Sequence, residues 1–217
     1  MNDLTTIANI QCDILSDKTR KNGGPPCWQP ITIGASIVCD GWVSGKTTAV
    51  FTHFHEDHTC NIGRALPNCH HILLTEATYL ALRALKKIPE RANIERLPYG
   101  REHHTSCDET IELINANHVP GSSQVLVTMD ETGKKILYSG DFSFPELQTP
   151  KADVLVLDGT HGTEEWDFDT DKPSVLRRIF DEVIKQIRTD KPAVEIIANR
   201  GTMQDIMAEL EKEYDGN

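Results

Sequence analysis

Thr47-Thr48-Ala49-Val50-Phe51-Thr52 runs directly into His53-Phe54-His55-Glu56-Asp57-His58, and this stretch decides how the chain is read. The first half is short, apolar and β-branched, as a buried strand requires. The second half puts three histidines and an aspartate into six residues. Neutral imidazole and carboxylate are the ligand types of zinc, and also suit manganese or iron. A tight loop after a strand can turn His53 and His55 toward one ion, and Asp57 and His58 toward a neighbouring one. A solvated polar loop is the plain alternative, since nine histidines in 217 residues allow chance clusters. Four ligand-type residues at this spacing argue against it. Glu56, inside the cluster, reads as solvent-facing.

Upstream, Ile31 to Cys39 is rich in β-branched residues and reads as a strand or a hairpin. Downstream, Thr75 to Lys87 places Ala77, Leu80, Ala81, Ala84 and Leu85 at helical spacing. Thr110–Asn115, Gln124–Met129, Lys135–Tyr138 and Val154–Leu157 read as strands, the last of them buried, with a turn at Asp130–Gly133. Pro173–Ile187 and Met203–Tyr214 read as helices, separated by a buried strand at Val194–Ala198. Strands dominate first and a β-α-β-α order follows, which predicts a mixed α/β (α+β) fold. Two single residues follow strands directly. His118 comes after Thr110–Asn115, and Asp141 ends Lys135–Asp141. Each alone is more often structural than a ligand.

Together these residues resemble the metallo-β-lactamase superfamily. Phe51–His58 (FTHFHEDH), Ala116–Ser122 (ANHVPGS) and Leu137–Ser143 (LYSGDFS) occur in the order of that family's motifs. They are similar to its nuclease branch in particular, which includes the Artemis-type DNA cross-link-repair nucleases and the mRNA 3′-end cleavage endonuclease. Ile37–Trp42 (IVCDGW) resembles the branch's first motif, and Leu157–His161 (LDGTH) stands in the place of its next acidic one. The resemblance covers about residues 31–170 and implies an αββα sandwich with one or two zinc ions, or manganese or iron in their place. His53, His55 and His118 would hold the first ion, Asp57 and His58 the second, and Asp141 both. Asp57, His118 and Asp141 would be catalytic, with a metal-bound hydroxide as nucleophile. Asp40 and Asp158 would orient ligand imidazoles, and His161 would stand near the substrate or behind the ligands.

The family pattern departs near the C-terminus, where a further histidine is expected and none follows His161. Residues 1–190 are read as the metallo-β-lactamase-fold domain. Residues 191–217 are read as its last strand and helix, or as the start of the branch's cap (β-CASP), with Arg200, Gly201, Gln204 and Asp205 in a loosely similar arrangement. Most or all of that cap is expected to be missing.

The formal net charge of -11 argues against a broad basic nucleic-acid-binding face. A phosphodiester substrate stays compatible with it, because metal ions supply local positive charge. No apolar run reaches the ~20 residues of a membrane span, and the first residues carry no basic signal region. An intracellular protein, cytoplasmic or nuclear, is expected, with no membrane partner. Its six cysteines are then expected as free thiols, with Cys60 a small buried residue. The doublets His70–His71 and His103–His104 read as surface or strand residues. Gly45-Lys46-Thr47 is rejected as a phosphate-binding loop, because Asp40 stands where that motif needs glycine. The predicted function is a nuclease acting on DNA or RNA, in repair or RNA processing. The alternatives are a small-molecule ester hydrolase of the same fold and a non-catalytic scaffold. A homodimer would cover exposed strand edges.

Overall fold

A computed structural model describes residues 12–14, 30–144, 147–160, 172–189, 194–198 and 201–213. The chain divides into two compact units, Met1–Asp158 and Gly159–Asn217. The first unit is built on two sheets. One orders β1 (Cys12–Ile14), β2 (Ile31–Ile33), β3 (Ile37–Cys39), β4 (Thr48–Val50), β5 (His71–Leu74) and β6 (Glu95–Arg96). The other contains β7 (Glu102–His104), β8 (Glu109–Asn115), β9 (Ser123–Met129), β10 (Lys134–Tyr138) and β11 (Val154–Val156), in spatial order β11-β10-β9-β8-β7. Strands β3 to β6 run parallel, as do β10 and β11, whereas β7 to β10 form an antiparallel meander.

Burial explains why these runs are strands. Ile33, Ile37, Val50 and Leu73 of the first sheet share one apolar layer with Ile111, Leu113, Val125, Val127 and Ile136 of the second. The opposite face of the first sheet (Val38, Ala49, Ile72 and Leu74) packs on Phe54 and on helices α2 (Ile62–Asn68) and α3 (Glu76–Ala84), through Ile62, Ala65 and Leu82. Neighbours such as Ala49 and Val50 thus serve different layers, which is why the sequence there is continuously apolar instead of alternating. Each fully buried Leu or Ile contributes about 1.5–3 kcal/mol, so this layering outweighs local propensity. Thr75 caps α3, its hydroxyl accepting from the Thr78 N–H. The Ile31–Cys39 stretch is a hairpin.

Four expectations change, the first being that Val154–Leu157 is not buried: β11 is the end strand of its sheet and Leu155 is 55% exposed. The histidine cluster is not all loop: Glu56–Thr59 closes into a single helical turn, α1, with Thr59 N donating to His55 O. Val194–Ala198 is not a buried strand. It has no ladder partner among the described residues, and Ile197 is 86% exposed; a β-branched run becomes a strand only where an edge accepts it. Cys60 is exposed and disulfide-bonded, not a small buried thiol, while Cys39, Cys69 and Cys107 are free. Cys60 caps the C-terminus of α1 at the surface, where burial does not shield its sulfur.

The second unit carries α4 (Lys172–Ile187) and α5 (Thr202–Glu213). The Gly201 N–H donates to the Gln204 side chain at the start of α5. Among the described residues no helix is long and apolar enough to cross a membrane.

Candidate metal centre

Four chain segments, around Asp40, His53–His58, His118 and Asp141, converge at one end of the sandwich. The backbone after β4 is drawn across to both sheets: Phe51 N donates to Leu73 O, and Ser123 N donates to Thr52 O. His53 is thereby fully buried at the strand's end, and α1 then turns Asp57 and His58 back toward it. His118 comes from the loop between β8 and β9. There the Ser122 hydroxyl accepts from the N–H groups of His118 and Val119. Gly121 O accepts from the Thr75 and Thr78 hydroxyls, so the loop is fastened to the start of α3. Gly121 has φ +84, and a Cβ there would lie 2.7 Å from Thr78 N, so only glycine fits without strain. Asp141 follows β10, and Ser143 N donates to Ala116 O, which holds its loop beside His118.

The ligand-type atoms face one another. His53 Nε2 lies 3.0 Å from His55 Nδ1, and His118 Nε2 lies 3.3 Å from the same atom. Asp141 Oδ2 is 3.7 Å from His53 Nε2 and 3.4 Å from His118 Nε2. Its other oxygen, Oδ1, is 3.1 Å from His58 Nε2, and Asp57 Oδ2 is 3.9 Å from that nitrogen. The edge of a tetrahedron with ~2.0 Å bonds is roughly 3.3 Å. His53, His55, His118 and Asp141 could therefore hold an ion with little movement. Imidazole lone pairs at this separation have no reason to converge unless a cation joins them, so the donor set fits a divalent metal.

Asp40 lies behind the histidines and sets their tautomers. It is fully buried, with φ 51. Its Oδ1 accepts from Thr52 N at 2.8 Å, and its Oδ2 accepts from Thr52 Oγ1, His58 Nδ1 and Tyr138 OH at 2.8, 2.8 and 2.9 Å. A carboxylate only accepts. The Thr52 proton therefore goes to Asp40, leaving Thr52 Oγ1 to accept from His53 Nδ1 at 3.0 Å. One carboxylate thus fixes a proton on Nδ1 of both His53 and His58, the second through its own contact and the first through threonine, and in the metal-free protein His58 also donates from Nε2 to Asp141.

The electrostatics follow from this arrangement. Burial, then the neighbouring His58, His55 and His118, drive the His53 pKa far below its ordinary value, so it stays neutral. Burial also lowers the His58 pKa, but the Asp40 charge and the hydrogen bonds to Asp141 and Asp40 outweigh it and hold the pKa at about 10 without metal. Burial raises the Asp141 pKa, yet the His58 hydrogen bond and charge, with His118 and His55, bring it below the usual carboxylate range. Tyr138 is pushed well above its ordinary value by burial and by Asp40.

Residues 46–186 match the family model of the Metallo-beta-lactamase superfamily. The chain belongs to that superfamily. Among curated relatives it is 30% identical over 139 residues to the 5′ exonuclease Apollo of Gallus gallus, covering 59% of this chain and 29% of Apollo. It is 27% identical over 123 residues to an RNase J-like protein of Methanocaldococcus jannaschii, covering 53% of this chain and 28% of that protein. The chain spans half or less of the length of the curated relatives it matches. A solved structure of a protein of unknown function from Enterococcus faecalis superposes with a TM-score of 0.55 at 12% identity, covering 76% of this chain and 44% of the other, a likeness of fold alone.

Of the residues singled out in the sequence of this metallo-β-lactamase-superfamily chain, His53, His55, Asp57, His58, His118, Asp141 and Asp40 lie together. Asp158 follows β11, the strand beside β10, its N–H donating to Ser139 Oγ. His161 lies outside the described residues. Thr52 and Tyr138 were not singled out. Their signal was adjacency: each stands within three residues of a ligand-type residue, inside a motif already quoted.

Proposed function

We propose that this protein is a zinc-dependent nuclease that hydrolyses phosphodiester bonds of DNA or RNA. The observation that carries the reading is the position of Asp141. One of its oxygens faces His53 and His118, and the other faces His58, as a ligand shared by two ions requires. His53, His55 and His118 would hold one ion, and Asp57 and His58 the other. A divalent ion bound here supplies Lewis acidity at the scissile phosphate and acidifies its water. With an ion bound, Asp40 would hold the remaining proton of His58 on Nδ1 and, through Thr52, that of His53, leaving each Nε2 for the metal. Asp57, partly exposed, accepts the proton of the attacking water. Asp158 supports the ligands from the end of β11. Nuclease relatives support the polynucleotide substrate. A domain over residues 1–190, with 191–217 as its closing segment or as the opening of a cap, belongs to the same proposal.

The net charge of -11 favours a second reading, a small phosphodiester as substrate, since it gives no long basic track for a polymer. One experiment separates the two. The full chain, stripped and reloaded with zinc or manganese, is assayed on 5′-phosphorylated single-stranded DNA, on RNA and on a nitrophenyl phosphate diester. Polynucleotide cleavage that falls by about 10²–10⁴-fold in Asp57→Ala supports the proposal. Cleavage equal in wild type and Asp57→Ala marks a contaminant and overturns it. Diester turnover without polynucleotide cleavage assigns the small substrate.

A further inference from the structure

A second group of metal-ligand residues lies apart from this centre, on the edges of both sheets. Each of its members is placed by strand register. His71 opens β5 two residues before Leu73, so both point to the same face, and Leu73 belongs to the layer between the sheets. Glu95 on β6, the edge strand of the first sheet, is the register partner of Leu73 and shares that face. His103 on β7, the edge strand of the second sheet, pairs with Ile111, which is also in the shared layer. Three side chains from two sheets therefore point into the mouth of the sandwich from opposite sides. One ligand atom from each lies within 4.8 Å of the others, and the rings of His71 and His103 are 4.9 Å apart.

The plain reading is a hydrogen bond closing the edge, His103 Nδ1 to Glu95 at 3.2 Å. That reading leaves an atom unexplained. His103 is 9% exposed, and its Nε2 is buried with no hydrogen-bond partner among the described residues. A neutral ring that donates from Nδ1 to Glu95 carries a bare lone pair on Nε2, and burying it unsatisfied is costly. A cation on this nitrogen satisfies it, and the Glu95 carboxylate, which stands at Nδ1 on the other side of the ring, must turn to reach the same ion as His71. His71 and Glu95 are exposed and free to adjust by rotamer.

We propose that His71, Glu95 and His103 bind a divalent transition-metal ion that clamps the edge strands of the two sheets together. Two imidazoles and one carboxylate select zinc or its neighbours over magnesium or calcium, and three protein ligands leave a position for water. The ion would hold β6 to β7 at the open side of the sandwich, where strand edges are otherwise unprotected.

The test uses the full chain, stripped with chelator and titrated with zinc by calorimetry, with elemental analysis after dialysis. His71→Ala removes an exposed side chain and Glu95→Gln is isosteric, so neither threatens the core. Each should lose about one zinc per chain relative to wild type. Each should also lose part of the rise in Tm that zinc gives the wild type, while hydrolytic activity is unchanged. Wild-type stoichiometry in both variants overturns the proposal. The comparison is independent of the nuclease reading, because it counts metal whether or not the protein cleaves anything.

Discussion

Asp40→Asn is the most informative single change. It preserves shape and backbone, since asparagine accepts the φ of 51 that Asp40 adopts. The amide oxygen keeps the bond from Thr52 N. The amide nitrogen then stands where Oδ2 accepted from Thr52 Oγ1, His58 Nδ1 and Tyr138 OH. The two hydroxyls can rotate and accept instead of donating. The imidazole cannot rotate its proton away, so His58 must carry it on Nε2, the nitrogen 3.1 Å from Asp141. A turned Thr52 hydroxyl also stops accepting from His53 Nδ1. The direct loss is one hydrogen bond between charged groups, about 1.5–3 kcal/mol of stability in the metal-free protein. The ligand lone pairs are lost with it, and zinc affinity should fall about 10–100-fold. Urea unfolding of the metal-free protein and zinc competition against a chromophoric chelator measure the two effects. Metal-free stability within about 0.5 kcal/mol of wild type, together with unchanged zinc affinity, would falsify the role given to Asp40.

Two further predictions follow from the same geometry. In the metal-free protein the His58 pKa is raised from 6.5 to about 10, so its stabilising contribution is complete below pH 6.5 and is lost as pH rises through about 10. Metal binding near pH 7 must therefore expel about one proton from this residue, seen as a binding heat that changes with the ionisation enthalpy of the buffer; heats independent of buffer refute it. Gly121→Ala forces a Cβ to 2.7 Å from Thr78 N at φ +84. It should cost about 1–3 kcal/mol and, by displacing His118, weaken zinc binding, whereas Gly133→Ala, with open space around its Cβ, should leave zinc binding unchanged.

The candidate centre was legible because its chemistry is concentrated. His53, His55, Asp57 and His58 crowd one strand end, and a rare residue mix at a strand end is visible without knowing the fold. The buried strand before it was legible for a similar reason, since Val50 and Phe51 serve opposite faces of the sheet and such runs occur where helices cover one, whereas the sandwich itself was implied by the family resemblance. What failed was local pattern without tertiary context. Val194–Ala198 has the composition of a strand and no ladder partner among the described residues, and α1 is one turn, too short for periodicity to register. The bond from Tyr138 to Asp40 spans 98 residues, and no spacing rule announces it.

The doublet His103–His104 shows where sequence reading ends. On any strand one of two adjacent residues faces in and the other out, and a shift of register by one exchanges them. Composition treats the two histidines as equal. The pairing of His103 with Ile111 turns it inward to Glu95 and His71. His104, paired with Thr110, faces the other way and meets the Thr110 hydroxyl at 2.8 Å. The second metal site therefore rests on two registers, β5 with β6 and β7 with β8, and on the packing of one sheet over the other. A ligand set spread over 33 positions, from His71 to His103, has no local signature. It is found only by asking which side chains the sheets turn toward each other, and which buried nitrogen is left without a partner.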